Sequence, residues 1–193
     1  MLVKSDFFFH KEECEEIISI CERIGVKQKH KVDAYNKWDY LRIHNDDFKE
    51  RILKKYKEVF LNTTIFPFDL ESITNDQLSL TLTRYYDGRF LEMHRDVSSD
   101  FTTVIPLTDG FEDGRFVISE EKVSIENKTF NESNIHIINQ GYGLTFDGGK
   151  VWHGVMPVYS GIRKSLNIWI DPDFVKIRTT SGDLVAKAKK TFL

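Results

Sequence analysis

Cysteine is nearly absent from this chain: Cys14 and Cys21 are the only two in 193 residues. They stand seven apart in a stretch of helical periodicity, which puts their Cα atoms about 10 Å from each other. A disulfide rarely spans more than roughly 7 Å, so the thiols are expected to be unbridged. Both fall on the apolar stripe, where buried structural thiols are expected, and this usage suits a reducing compartment. Proline is scarce too, with four residues. No Pro/Gly-rich linker, repeat or low-complexity tract divides the chain, which is long enough to bury one core without covalent staples. A long hydrophobic run is also missing. Phe7-Phe8-Phe9 ends at once in His10-Lys11, too short for a signal-peptide core or a bilayer span. A cytoplasmic location with no membrane partner is the expectation. Asn-x-Ser/Thr triplets begin at Asn62, Asn127 and Asn131, but such a triplet matters only in a secreted chain. Excess charge of one sign is lacking as well: 27 basic and 30 acidic residues, interspersed, give a net charge of −3. That balance projects no long-range field and argues against a nucleic-acid partner.

What the chain does have is a change of texture near residue 77. Upstream, Cys14, Ile17, Ile18, Cys21 and Ile24 recur at helical spacing over 11–24, and Gly25 supplies the stop. Phe48, Ile52, Leu53, Tyr56 and Phe60 mark a second helix over 46–60, with Asn45 or Asp46 as its cap. Between them, WDYLRIH (38–44) reads as a strand. From Gln77 the period drops to two in QLSLTLTRYY, so one face is buried and the other looks elsewhere. Short β-rich runs come next: DFTTVIPLT, GRFVISE, HIINQ, GLTFDG, VWHGVMPV and KSLNIWI, with turns such as TDGFEDG and DGGK among them. The ending SGDLVAKAKKTFL reads as a tail. Many short strands after a helical start predict a mainly β fold with flanking helices (α+β), a jelly-roll or barrel.

Chemistry enters with His94-Arg95-Asp96. On a strand, residues i and i+2 share a face, so His94 and Asp96 are able to grip one ion together. Alone, the triplet also reads as two solvated side chains on a surface strand. His153, in the apolar run VWHGVMPV, adds a third donor, although a lone histidine there is more often a hydrogen-bonded core residue. Two histidines and one carboxylate form the facial set of non-haem Fe(II) oxygenases, which leaves three coordination positions open. Zinc prefers a tetrahedral site and does no redox chemistry. Arg163 comes ten residues after His153. With 151–158 and 164–170 read as neighbouring strands, it opens the second and is able to reach the inner face. There its planar fork would bind a carboxylate with two parallel hydrogen bonds. A solvated turn arginine after Ser160-Gly161 is the equal alternative on spacing alone.

The stretches LTRYYDGRFLEMHRD, DFTTVIPLTDGFEDGRFVI and GYGLTFDGGKVWHGVMPVYSGIRKSLNIWIDP resemble the catalytic core of 2-oxoglutarate and Fe(II)-dependent dioxygenases. The branch they are most similar to is that of the prolyl and lysyl hydroxylases. The resemblance covers about residues 77–171. Tyr85 and Gly88 match a Tyr-x-x-Gly ahead of the first iron-binding histidine, and Asp113-Gly114 stands where the family usually has Gly-Gly. Gly141 and Gly143 match the turn before the distal strand, Phe146 leads into it, and Trp169 matches an aromatic residue on the last strand. The resemblance implies a double-stranded β-helix (jelly-roll, cupin-like) core packed against N-terminal helices. It implies one domain over 1–193: helical support over 1–76, catalytic core over 77–171 and a C-terminal tail over 172–193. It also implies that His94, Asp96 and His153 bind Fe(II). Arg163 would bind the distal carboxylate of 2-oxoglutarate, with Tyr85 and Ser165 as hydrogen-bonding helpers. Arg163 stands where the collagen prolyl branch usually has lysine and the lysyl branch arginine. Leu91 departs from the tyrosine of many prolyl enzymes.

The activity that the resemblance implies is hydroxylation of an unactivated C–H bond with release of succinate and carbon dioxide. Fe(II), 2-oxoglutarate and O2 are the implied cofactors, with ascorbate as a candidate reductant. An amino acid or a lysyl- or prolyl-type peptide is the implied substrate. Asp96 disfavours a halogenase, because chloride would need its place. A cupin-like metal-dependent isomerase or hydrolase would keep the triad without a use for Arg163, and a non-catalytic jelly-roll binding protein is the other alternative. Asp87, Glu92, Asp100, Asp109, Glu112 and Asp113 lie on segments flanking the iron-binding strand. Together they raise the expectation of an acidic entrance for a cationic substrate, although singly each reads as an ordinary solvated loop carboxylate.

Overall fold

The computed structural model describes residues 3–27, 39–96, 101–128 and 130–174. Trp38, Asp100 and the expected tail at 181–193 lie outside the described residues. In chain order the first elements are β1 (Val3–Phe7), α1 (Lys11–Ile24), β2 (Val26–Lys27), β3 (Asp39–Ile43) and α2 (Asp46–Phe60). Then come β4 (Leu78–Tyr85), β5 (Arg89–His94), β6 (Phe101–Pro106), β7 (Glu112–Asp113) and β8 (Phe116–Ser119). The last are β9 (Ile135–His136), β10 (Tyr142–Phe146), β11 (Trp152–Ser160) and β12 (Arg163–Ile170).

Both helices form where the apolar spacing predicts them. Cys14, Ile17 and Cys21 are the buried face of α1, and neither cysteine is bridged. Burial pushes the Cys21 thiol up to about 12, which keeps it protonated and inert. Asn45 caps α2 by accepting the Phe48 N–H at 2.8 Å. Among the described residues no helix is long and apolar enough to cross a membrane.

The strands make two sheets with antiparallel neighbours. One runs β1-β10-β6-β12-β4-β3-β2; the other runs β5-β11-β8-β9, with β7 paired to β11. From β4 onward the chain alternates between them: β4, β6, β10 and β12 in the larger, β5, β8 and β11 in the smaller. That alternation is the expected double-stranded β-helix, a jelly-roll. The N-terminal segment supplies more than helices. β1, β2 and β3 extend the larger sheet, and Phe8 and Phe9 are buried with Tyr56 and Phe60 of α2. HIINQ yields a strand only at its start, and Ile137 stands exposed.

One expectation is corrected. β11 and β12 are not neighbours: β11 pairs β5, β7 and β8, whereas β12 pairs β4 and β6. Each strand has its own apolar set to bury. Leu166, Ile168 and Ile170 of β12 belong with the helices, while Val155 and Val158 of β11 belong with the cluster between the sheets. Crossing between sheets serves both sets; a hairpin in one sheet would not.

Candidate metal centre

β5 and β11 bring His94 and His153 into register, with ring centroids 4.3 Å apart. Asp96 lies just past the end of β5, so the shared-strand geometry expected for His94 and Asp96 does not place it. Its backbone N–H donates to Gly148 O at 2.9 Å. Thr102 Oγ1 and Trp169 Nε1 donate to its Oδ2 at 2.5 and 3.0 Å. Gly148 must be glycine for this: a Cβ there would collide with Thr102 Oγ1 and stand 2.5 Å from Asp96 Oδ2. Asp96 Oδ1 is then 3.7 Å from His94 Nε2, and Oδ2 is 3.5 Å from His153 Nε2. One donor atom from each residue falls within 4.8 Å of the others.

The tautomers are set by the other ring nitrogens. His94 Nδ1 faces Glu92 O at 3.1 Å and His153 Nδ1 faces Val151 O at 3.2 Å. A carbonyl only accepts, so each Nδ1 carries a proton, and in the neutral ring the lone pair is at Nε2. Backbone carbonyls hold metal-ligating imidazoles in this way. His153 is buried, and that burial, reinforced by His94, drives its pKa down to about 4 against the pull of Asp96. It is a neutral donor at physiological pH, so its approach to Asp96 is not an ion pair.

Behind the donors lies a cavity lined by Tyr85, Leu91, Val104, Phe116, Arg163 and Asn167, among others. Arg163 opens β12 and is 2 % exposed, so the solvated-turn alternative is excluded. Gly114, at φ +65°, leaves it room: a Cβ would meet Arg163 Cδ at 3.0 Å and Val158 Cγ2 at 2.6 Å. The guanidinium stacks 5.5 Å from the Tyr85 ring centre. Burial lowers its pKa to about 10, still charged at neutral pH, and Nη1 has no hydrogen-bond partner among the described residues. A buried cation without a counter-charge is costly. Ser165, two residues on and sharing that face, is fully buried with an unpaired Oγ. Burial pushes the Tyr85 hydroxyl up to about 12, so it stays protonated.

All three expected metal ligands therefore meet, and Arg163 with Tyr85 lines the same cavity; Ser165 sits beside it. Thr102, Gly148 and Asn167 were not expected. The alternation in DFTTVIPLT places Thr102 on the inner face, and Asn167 continues the Arg163–Ser165 face of KSLNIWI. Asn167 Nδ2 donates to Thr83 Oγ1 at 3.3 Å.

Among the described residues, Glu92, Glu112 and Asp113 do not form the expected acidic entrance. Glu112 and Asp113 pair with Ser160 and Val158, the end of β11 remote from His153. Glu92 is occupied by two backbone N–H groups, and Asp113 is paired with Arg115 at 2.9 Å. Beside the histidines, Arg95 and Lys122 lie 4.9 and 5.3 Å from the Trp152 ring centre.

The donor chemistry fits a divalent iron: two imidazoles, one carboxylate held by two donors, and a cavity alongside. The unpaired Arg163 Nη1 and Ser165 Oγ fit a carboxylate-bearing cosubstrate.

No protein-family model matches the chain, and no curated protein matches it in sequence. Solved structures do match. A prolyl-4-hydroxylase of Pseudomonas putida aligns over 88% of this chain and 92% of its own, with TM-score 0.61 and 15% identity. The viral collagen prolyl hydroxylase of Paramecium Bursaria Chlorella virus-1, in its 2OG complex, aligns over 88% and 96%, with TM-score 0.60 and 17% identity. A Burkholderia pseudomallei oxidoreductase of the 2OG-Fe(II) oxygenase family aligns over 84% and 80%, with TM-score 0.56 and 17% identity. The chain shares the jelly-roll fold of these 2OG-Fe(II) oxygenase structures.

Proposed function

We propose that this chain is an Fe(II)- and 2-oxoglutarate-dependent dioxygenase that hydroxylates an unactivated C–H bond of an amino-acid or peptidyl substrate. One observation carries the reading: the two histidines of a three-donor cluster and a buried guanidinium, whose Nη1 has no partner among the described residues, line the same cavity. His94, Asp96 and His153 would hold iron. Arg163 would take the far carboxylate of 2-oxoglutarate, with Ser165 Oγ as a second donor and the Tyr85 ring backing the guanidinium. Bound there, the iron and the keto acid supply oxygen activation and oxidative decarboxylation, giving succinate, CO2 and a hydroxylated product. One oxygen atom of O2 ends in succinate and the other in the product.

The chain's own residues position and shield. The backbone carbonyls of Glu92 and Val151 hold both imidazoles with Nε2 inward. Thr102 and Trp169 hold the Asp96 carboxylate. Leu91, Val104, Phe116 and Val155 line the cavity with hydrocarbon and limit water around the reacting groups. A cupin-like isomerase or hydrolase would leave Arg163 buried without a purpose, and a purely structural site would leave the cavity without one.

The names of two structural neighbours, both prolyl hydroxylases, support a peptidyl substrate. Arg163 in place of lysine supports the lysyl type. The test is Fe(II)-dependent succinate release with lysyl, arginyl, prolyl and neutral peptides and the matching free amino acids. Stimulation by one class, matched by product hydroxylation, is expected. Absence of succinate under every condition would overturn the oxygenase reading.

A further inference from the structure

The outer face of β5 holds a contact that neither metal nor cosubstrate binding requires. His94 faces His153 and Leu91 faces Val155, so three steps on β5 oppose two on β11. The extra residue is a β-bulge at Glu92–Met93. A bulge re-aims the side chain beside it, and here that side chain is His94. Gly154 accepts the bulge: a Cβ there would stand 2.7 Å from Leu91 O and 3.1 Å from Met93 Sδ.

Glu92 pins this bulge from outside. Its Oε1 accepts the Ile125 N–H at 2.7 Å and its Oε2 accepts the Glu126 N–H at 3.1 Å. Its backbone carbonyl accepts the His94 Nδ1–H at 3.1 Å. Ile125 is 2 % exposed and packs with Phe90 and Met93, so the turn it belongs to is anchored. One residue thus holds a loop by its carboxylate and a ligand imidazole by its carbonyl. Two consecutive N–H donors need two acceptor oxygens, which a carboxylate has. Glutamine offers one acceptor and turns an N–H toward the other donor.

We propose that Glu92 is a positioning residue of the metal centre, its carboxylate holding the β5 bulge in the register that aims His94 Nε2 at Asp96 and His153. The inference rests on the proposed metal site. It also reassigns Glu92, which the sequence pattern placed among solvated or substrate-attracting acids.

The test compares Glu92→Gln, Glu92→Ala and Ser124→Ala in the full chain. Ser124 accepts the Asn127 N–H at 3.1 Å in the same turn, so its variant loosens the loop while keeping the Glu92 carboxylate. Two readouts are taken: Co(II) affinity from its ligand-field absorption, and the ring 15N shifts of His94 and His153 in metal-free protein. Both Glu92 variants should bind Co(II) about 10- to 100-fold more weakly, as supporting-residue changes do. His94 should lose its single Nδ1–H tautomer while His153 keeps its own, and Ser124→Ala should match wild type. Glu92→Gln carries the test should Glu92→Ala prove too unstable to purify. Wild-type affinity and an unchanged His94 tautomer in the Glu92 variants would overturn the proposal. Should wild type take up no Co(II), the metal reading falls, and the His94 shifts in metal-free protein still decide for or against Glu92.

Discussion

The two faces of β4 and β12 differ in kind, although they alternate residue by residue. Toward the helices stand Leu78, Leu80, Leu82, Leu166, Ile168 and Ile170, all within 1 % of full burial. Toward the cavity stand Thr83, Tyr85, Arg163, Ser165, Asn167 and Trp169. The first face is closed: between Leu78 and Leu82, and between Leu166 and Ile170, its side chains are hydrocarbon, and burial of that area is what stabilises the fold. The second is unfinished. Among the described residues, neither Arg163 Nη1 nor Ser165 Oγ has a hydrogen-bond partner. A sheet that seals one face and leaves polar valences on the other separates stability from chemistry along single strands, and substitutions on the two faces should show it.

The largest effect belongs to the proposed metal ligands. His94→Ala, Asp96→Ala and His153→Ala should each abolish succinate release while circular dichroism and melting stay close to wild type. Full turnover in any of the three would remove that residue from the site.

Arg163→Met should separate the faces most sharply, because its two effects have opposite signs. Losing one partner of a buried charge pair costs about 2–5 kcal/mol, so 2-oxoglutarate affinity should fall roughly 30- to several-thousand-fold. Arg163→Lys should lose less. Without cosubstrate, the variant should be more stable than wild type. Burial holds the guanidinium pKa down at about 10, which corresponds to a folding penalty of order 3 kcal/mol. The penalty is fully present below pH 10 and is relieved only as pH rises from there through the unfolded value. Denaturant melts of ligand-free protein at neutral pH check the sign.

Leu82→Ala on the closed face should do the reverse. Truncating a fully buried leucine costs about 2–5 kcal/mol of stability, and cosubstrate affinity below the melting range should stay within about twofold. Ser165→Ala gives the smallest change. Removing an unpaired buried hydroxyl should leave ligand-free stability equal or higher by about 1 kcal/mol. Loss of its hydrogen bond should weaken cosubstrate binding about fivefold. Calorimetry reads both quantities.

Much of this division is legible in the chain. The period-two pattern of QLSLTLTRYY and KSLNIWI separates the two faces, and it places Arg163, Ser165, Asn167 and Trp169 on one of them. Helical spacing gives both helices to within a residue. Contacts that depend on distant segments were not legible. No local signal puts β11 and β12 in different sheets, because a short turn at Gly161-Ile162 serves a hairpin equally well. β1 is hidden because Val3–Phe7 finds its partner in β10, about 140 residues away. Asp96 was recognisable as a candidate ligand from the His94-Arg95-Asp96 triplet. The groups that hold it, Thr102, Gly148 and Trp169, come from three other segments. Glu112 and Asp113 misled for the same reason: their place along β11 is set by register, which composition does not encode.

The most direct test is an anaerobic titration of the Fe(II)-loaded protein with 2-oxoglutarate, monitored in the visible region. A broad metal-to-ligand charge-transfer band requires the keto acid and the iron to share one site. The band should appear and saturate in wild type, require far higher 2-oxoglutarate in Arg163→Met, and be absent in Asp96→Ala. A wild-type protein that binds iron yet shows no band at saturating 2-oxoglutarate would contradict the assignment of the cavity face to this chemistry.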